Sequence, residues 1–296
     1  MKMQCARIIR QRAAITALTL TAALSVAGSA PAQNVFVFEG NNQGNWSIME
    51  FKPGGVETTF ATVEASEGLA FNSAGNLFVS AYDANSIYEF TPSAVQSTFA
   101  SGLTGPFGLA FDNAGNLFVA NHSGTTITEI TSGGSQSMFA SSLDAPAGLA
   151  FNGAGNLFET DEASGNIYQF TPSGTKSLFA SGLNSPWGLA FNSAGNLFVG
   201  TGNGNIYEYT PGGTQSTFAS GLGRPNELAF DNAGNLYVAD GPAGNIYEYA
   251  PDGTRTTFAT GLSNPVGLAI QVPEASTYAM VSLGLSLLVC FRRRKK

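Results

Sequence analysis

Short apolar runs alternate with polar turns along most of the chain, and the alternation itself repeats. The phrase Gly-Leu-Ala-Phe-(x)4-Gly-Asn-Leu-Phe opens at Gly68, Gly108, Gly148 and Gly188, returns at Glu227 as Glu-Leu-Ala-Phe, and ends at Gly267 as Gly-Leu-Ala-Ile. The steps between these positions are 40, 40, 40, 39 and 40 residues. A fixed period of that size marks a repeated supersecondary unit. In the unit starting at Gly108, residues 108–111 predict a first strand and residues 112–116, Asp-Asn-Ala-Gly-Asn, a turn. The Asp side chain can bond the turn backbone there, and Gly supplies a positive φ. Residues 117–120 predict a second strand, and residues 127–130 a third with period-2 alternation. A Thr-Ser-Gly-Gly turn leads to a fourth strand over residues 137–140.

Four short antiparallel strands in about 40 residues make one propeller blade. A helical solenoid is disfavoured because Gly or Pro interrupts every candidate helix within a few residues. Each strand type occurs six times: the second strands hold Val35, Leu77, Leu117, Leu157, Leu197 and Leu236, and the fourth end in Phe-Ala from Phe60 to Phe258. The chain is therefore expected to be all-β, a six-bladed propeller over residues 33–272. That body starts with a second strand and finishes with a first strand. The C-terminal strand is expected to complete the N-terminal blade and close the ring, removing two open edges. Phe71, Phe111, Phe151, Phe191 and Phe230 end the first strands and are expected to fill the spaces between blades.

The two ends read as addresses. Residues 1–32 carry Lys2, Arg7, Arg10 and Arg12, then an apolar run from Ala13 to Gly28, then small residues at Ala30 and Ala32. This predicts an export signal peptide; the alternative is a buried N-terminal helix. Residues 273–296 hold an uncharged apolar stretch from Ala275 to Phe291, followed by three Arg and two Lys. Seventeen helical residues span about 25 Å, near the ~30 Å of a hydrocarbon core. With Val272-Pro273-Glu274 before it, this end resembles the PEP-CTERM sorting signal of exported bacterial proteins. The resemblance implies a transmembrane stretch with a basic tail, cut by an exosortase-type enzyme; a plain membrane anchor is the alternative. Either way the membrane is met only through this segment, at a bacterial surface or extracellular matrix.

Charge sharpens the picture. Nine of the 13 basic residues lie in the two ends, leaving the body Lys52, Lys176, Arg224 and Arg255 against 19 acids, a formal charge of −15. Such a body repels phosphate backbones, so no nucleic-acid partner is expected. Cys5 and Cys290 both lie in the ends, so the body has no disulfide. Antiparallel wiring puts the loops after strands one and three on one face, and those after strands two and four on the other. The first face is monotonous. The second differs from blade to blade, in the residue before Gly-Leu-Ala (Glu67, Phe107, Ala147, Trp187, Asn226, Val266) and in the loops carrying Glu39, His122, Asp161 and Asp240. This variable face is expected to surround the channel mouth and hold any ligand. Phe107 and Trp187 can stack on a sugar or apolar group, or plug the channel. His122 is the sole histidine, which excludes a histidine-centred zinc cluster, and its place predicts an exposed loop side chain.

The units from Pro225 to Asp240, and their copies, resemble NHL repeats, and the body is similar to NHL and gluconolactonase-like (regucalcin-like) six-bladed propellers. That likeness implies the fold and leaves activity open. Gluconolactonase-like members hold a divalent cation with Glu, Asn and Asp, and Glu67 and Asn226 resemble two of those ligands. Val266 stands where the Asp is needed, and Asn226 follows Glu67 by four repeats instead of three. Glu39, Asp161, Glu162 and Asp240 are further oxygen donors for Ca2+ or another divalent cation. The leading expectation is a non-catalytic binding or structural propeller, with a small molecule, polysaccharide or protein as ligand. A cation-dependent gluconolactonase-like hydrolase and a streptogramin-type lyase, using His122 or an acid as base, are the alternatives.

Overall fold

The computed structural model describes residues 33–40, 46–53, 56–63 and 66–271. The export and sorting segments expected at 1–32 and 273–296 lie outside the described residues. Among those described, 24 strands form six antiparallel sheets of four. Blade one is β4 (Ser66–Phe71), β5 (Leu77–Ala81), β6 (Ser86–Phe90) and β7 (Gln96–Ser101), hydrogen-bonded in that order. The next four blades repeat it, with inner strands β8 (Pro106–Phe111), β12 (Pro146–Phe151), β16 (Pro186–Phe191) and β20 (Pro225–Phe230). Blade six joins the chain's two ends: β24 (Pro265–Gln271) pairs with β1 (Asn34–Gly40), Val35 facing Ile270 and Val37 facing Leu268. The inner strands touch in the order β4, β8, β12, β16, β20, β24 and back to β4, which closes the ring.

The turns form as their sequence dictates. Asp112 Oδ1 accepts from the Ala114 and Asn116 N–H groups at 2.9 and 2.8 Å, and Gly115 takes φ 84°. Asn72, Asn152, Asn192 and Asp231 do the same in their blades.

Aromatic rings hold the seams. Phe118, on the second strand of blade two, meets Phe139 of its own blade edge-on at 4.9 Å and Phe151 of blade three at 5.0 Å. Phe36, Phe78, Phe158 and Phe198 repeat this triad. In blade five Tyr237 takes the central place against Phe258, and Ile270 of blade six packs on that cluster. Edge-to-face pairs add about 0.5–1.5 kcal/mol each beyond the area they bury.

One feature differs from the sequence expectation. The first strands begin two residues before the Gly-Leu-Ala or Glu-Leu-Ala phrase, at a proline in five blades and at Ser66 in blade one, because each accommodates a bulge. The following glycine is fixed by a close approach: a Cβ on Gly148 would fall 2.5 Å from the Trp187 carbonyl oxygen and 2.6 Å from Leu189 Cδ2. Gly108, Gly188 and Gly267 likewise face the backbone of the next inner strand. Gly153, in a turn, has nothing within 4 Å of its Cβ position and no positive φ. Gly148→Ala is therefore expected to lose about 1–3 kcal/mol through overpacking. Gly153→Ala should be neutral or gain up to about 1 kcal/mol by restricting the unfolded chain. Denaturant unfolding of both variants checks the contrast, and equal effects would show that the inner strands are not in contact.

Candidate functional site

The bulges aim a different side chain from each blade at one end of the ring. In β8, Pro106 pairs with Asn121 and Leu109 with Val119, so three steps on the inner strand oppose two on β9 (Leu117–Asn121). The extra residue falls at Phe107-Gly108. The same slip occurs at Glu67, Ala147, Trp187, Asn226 and Val266. A bulge locally re-aims the chain and leaves a residue unpaired. The surrounding loops are tied together on that face: Leu103 N–H donates to the Asn85 carbonyl, His122 N–H to Gly105 and Gly241 N–H to Arg224. Loops after strands two and four thus share one face.

There two of the bulged residues meet, and neighbouring side chains extend the pair into a band. Phe107 and Trp187 come from blades two and four, yet their ring centroids lie 5.5 Å apart at 43°. The intervening bulge residue is Ala147, fully buried and too small to separate them. On one side Phe107 lies 5.4 Å from the His122 ring, with Tyr82 beyond it at 6.3 Å. On the other, the Arg224 guanidinium lies 5.4 Å from the Trp187 ring, a cation–π contact. Arg224 Nε donates to Asn226 Oδ1 at 2.8 Å, and Asn226 Nδ2 donates to the Pro265 carbonyl at 3.0 Å. Tyr82, Phe107, His122, Trp187 and Arg224 are each partly buried, so the band keeps an accessible face.

Acid groups flank it. His122 Nε2 sits 2.9 Å from Glu162 Oε2, bridging blades two and three. His122 is therefore half-buried and partnered, unlike the exposed loop residue its position suggested: the loop after β9 folds back as a short 3-10 turn, His122–Gly124. Burial pushes Glu67 up to about 7, with Arg224 opposing the rise and Asp83 adding to it. Glu227 stands in the glycine column of blade five. Burial pushes it up to about 8, offset in part by a hydrogen bond from the Leu228 N–H. Both residues are partly buried.

Three other sequence candidates serve the scaffold. Asp161 accepts from the Asp144 and Ser164 N–H groups and from the Ser164 hydroxyl. Asp240 accepts from Gly223 and Arg224 N–H, and Glu39 from Ser263 N–H. Each fastens a linker between blades through these backbone hydrogen bonds. Sequence reasoning passed over Tyr82, Arg224, Glu227 and Glu159. The last two were visible as breaks in the repeat. Glu159 occupies the place of Val37, Val79, Val119, Val199 and Val238, each opposite an inner-strand leucine. It lies two residues after Leu157 on β13 (Leu157–Asp161), on the strand face that meets Phe118 and Ala120 of blade two. It is fully buried, and neither carboxyl oxygen has a hydrogen-bond partner. Burial, helped by the Asp161 charge and opposed by Lys176, holds its pKa well above the usual carboxylate range.

Residues 66–266 match the family model described as SMP-30/Gluconolactonase/LRE-like region. None of the curated proteins matches the sequence. Among solved structures, the chain is similar to an inactive virginiamycin B lyase from Staphylococcus aureus solved with quinupristin, at 16% identity and TM-score 0.62, covering 82% of this chain and 94% of that one. A nidogen/laminin complex gives 19% identity and TM-score 0.72 over 82% and 100% of the two chains. A gluconolactonase from Xanthomonas campestris gives 20% identity and TM-score 0.63 over 68% and 78%. At these identities the likeness shows the fold.

Glu159 yields a signed prediction. Below the ordinary carboxylate pKa the folded and unfolded chains both hold its proton. As pH rises past that value the unfolded chain releases the proton and the folded chain keeps it, so wild-type stability falls. Glu159→Val removes that linkage and the unsatisfied carboxyl, which costs about 1–3 kcal/mol by itself. Thermal melts should show the variant more stable at pH 5, with the gain widening towards pH 8. A gain that shrinks with pH would mean the carboxylate has a partner.

Proposed function

The chain belongs to the SMP-30/gluconolactonase/LRE-like family, and from that premise we propose that it is a non-catalytic binding propeller whose ligand sits in the channel mouth. One observation carries the reading. The donor set for a divalent cation has been replaced by an aromatic–guanidinium band. Asn226 Oδ1, the oxygen a cation would need, accepts from Arg224. A guanidinium beside it repels a second positive charge. The Val266 side chain offers no oxygen. Hard cations take six to eight oxygens. Among the described residues, no three His, Cys, Asp or Glu side chains gather into such a group. These residues do not fit the cation of a gluconolactonase-like site, and no chemical step is built on one. What the mouth offers is flat, partly accessible rings with polar groups at their edges, the make-up of a small-molecule or saccharide site. The fold neighbours include enzymes and a protein–protein complex, so the fold allows either use.

The same reading places the propeller outside a bacterial cell, exported through residues 1–32. Residues 273–296 hold it at the surface until an exosortase-type enzyme removes them. The lack of cysteine in the body and its high negative charge are compatible with that setting.

Calorimetry tests the reading. Calcium titrated to millimolar concentration should give no saturable heat, and a lactone panel should show no hydrolysis. A panel of small ring compounds and oligosaccharides should contain binders whose affinity falls at least tenfold in Trp187→Ala, with melting unchanged within a few degrees. Saturable calcium binding that Asn226→Ala abolishes would replace this reading with the hydrolase.

A second reading rests on His122. Glu162 at 2.9 Å orients the ring; with the proton on Nε2, Nδ1 is left as a free acceptor beside Phe107, as a proton-abstracting lyase would need. Incubation with quinupristin, followed by chromatography, is expected to leave it intact. Turnover that disappears in His122→Ala would favour the lyase.

A further inference from the structure

We propose that the face of repeated turns is the membrane-apposed face of this propeller: with residues 275–291 in the bilayer, the ring lies flat on the lipid headgroups and the channel mouth points away from them. The proposal rests on the reading of those residues as a membrane segment and adds the orientation, which that reading leaves open. Inner strands run from the mouth to the opposite face, so β24 ends at Gln271 on the side of the turns. Asn34, the first residue of β1, pairs with Gln271 there. The Asn232 N–H, in the turn that follows β20, donates to Gln33 Oε1 at 2.9 Å, which fixes both ends of the body at the level of the turns.

The tether leaves little freedom. Only Val272, Pro273 and Glu274 separate Gln271 from the apolar stretch, and three extended residues reach no more than about 11 Å. A five-residue strand such as β5 spans roughly 17 Å, so the mouth lies farther from the attachment point than the tether can turn back. Position in the ring adds to this. β24 is an inner strand, in contact with β4 and β20, so the attachment lies near the axis and not at the rim. A ring held near its axis by so short a link meets the bilayer with a whole face. The basic residues after Phe291 stay on the cytoplasmic side, which puts the body on the other.

The chemistry of the two faces agrees. In blades one to five the turns after the inner strands end in exposed, uncharged tips at 73–74, 113–114, 153–154, 193–194 and 232–233, a Ser, Asn or Gly followed by Ala. Each turn is closed by the same hydrogen bond, from the N–H of residue 72, 112, 152, 192 or 231 to the carbonyl four residues on, so the tips stand at one height. The turns after the third strands, with tips at 92–93, 132–133, 172–173, 211–212 and 251–252, add one charge, Asp252. Carboxylates beside the turns are occupied: Glu89, Glu129 and Glu208 accept from Asn76, Asn116 and Asn196 at 2.7, 3.1 and 2.7 Å. Small uncharged tips can enter a hydrated headgroup layer without stripping water from an ion. The mouth loops would bring exposed Asp83 and Asp144 to it instead.

Cysteine labels measure the orientation. Cys5→Ala and Cys290→Ala give a full chain free of thiols. That chain enters the ring at Gln33 on the same face, so residues 1–32 favour no other arrangement. A fluorophore is then placed on Ser73→Cys or Ser193→Cys, at turn tips of the opposed blades one and four, or on Asp83→Cys or Asn203→Cys, in the mouth loops of the same blades. The protein is reconstituted in phosphatidylcholine vesicles that contain phosphatidylcholine with a nitroxide on its headgroup, a short-range quencher. The two turn labels should be quenched alike, and at least twofold more than the two mouth labels. Stronger quenching at the mouth, equal quenching at all four positions, or quenching at only one turn position would each overturn the proposal. Flotation separates the causes. If the protein floats with the vesicles and no label is quenched, the membrane segment stands and the flat face fails. If the protein does not float, the segment reading fails and the orientation with it. Turn labels that stay bright on vesicles and quench each other in detergent would give this face to a second copy of the chain, which also overturns the proposal.

Discussion

A four-stranded sheet has two faces, and each blade of this protein leaves both of them for its neighbours to cover. The cover is an aromatic ring on the second strand, closed from its own blade by the fourth-strand phenylalanine and from the next by the residue ending the inner strand. No blade can bury that ring alone, so the arrangement persists only if it runs round a closed circle. The β1–β24 pairing, which joins residues more than 220 positions apart, supplies the closure. The glycine column follows from the same demand, since inner strands must approach closely enough for carbonyls to meet the next blade's backbone.

That rigid circle converts small departures from the repeat into a site. Each inner strand carries a bulge at the same place, so whatever residue stands there is presented at the mouth. Ala147 leaves room, and Phe107 and Trp187 meet over it. Arg224 and Asn226 satisfy each other where a metal-binding propeller would need free oxygens. The scaffold is therefore made by identity between blades and the chemistry by difference. Glu159 and Glu227 are the costly differences: each is a carboxyl put where the repeat keeps an apolar or side-chain-free position, and burial holds its proton on past the usual range.

The fold was legible because its signal is periodic. Six copies of each strand, and a C-terminal first strand matching an N-terminal second strand, specify ring and closure without any knowledge of contacts. The face carrying variable loops was legible too, from antiparallel wiring alone. The inner arrangement of that face was not. A bulge leaves no mark in a run such as Pro-Phe-Gly-Leu-Ala-Phe. Whether Asp161 points at a ligand or at the Asp144 N–H depends on how the linker between blades returns, which the repeat does not encode. His122 and Glu162 are 40 residues apart in sequence, and their 2.9 Å contact exists only because adjacent blades bring equivalent loops together. Comparing the blades column by column does expose Glu159 among valines and Glu227 among glycines.

The central claim is that bulged residues two blades apart are brought into direct contact at the mouth. A double-mutant cycle between Phe107 and Trp187, read by equilibrium unfolding of wild type, Phe107→Ala, Trp187→Ala and the double variant, measures it without any ligand. Rings in contact predict a coupling of about 0.5–1.5 kcal/mol. Additive single effects, with no coupling beyond error, would contradict the convergence and the site built on it.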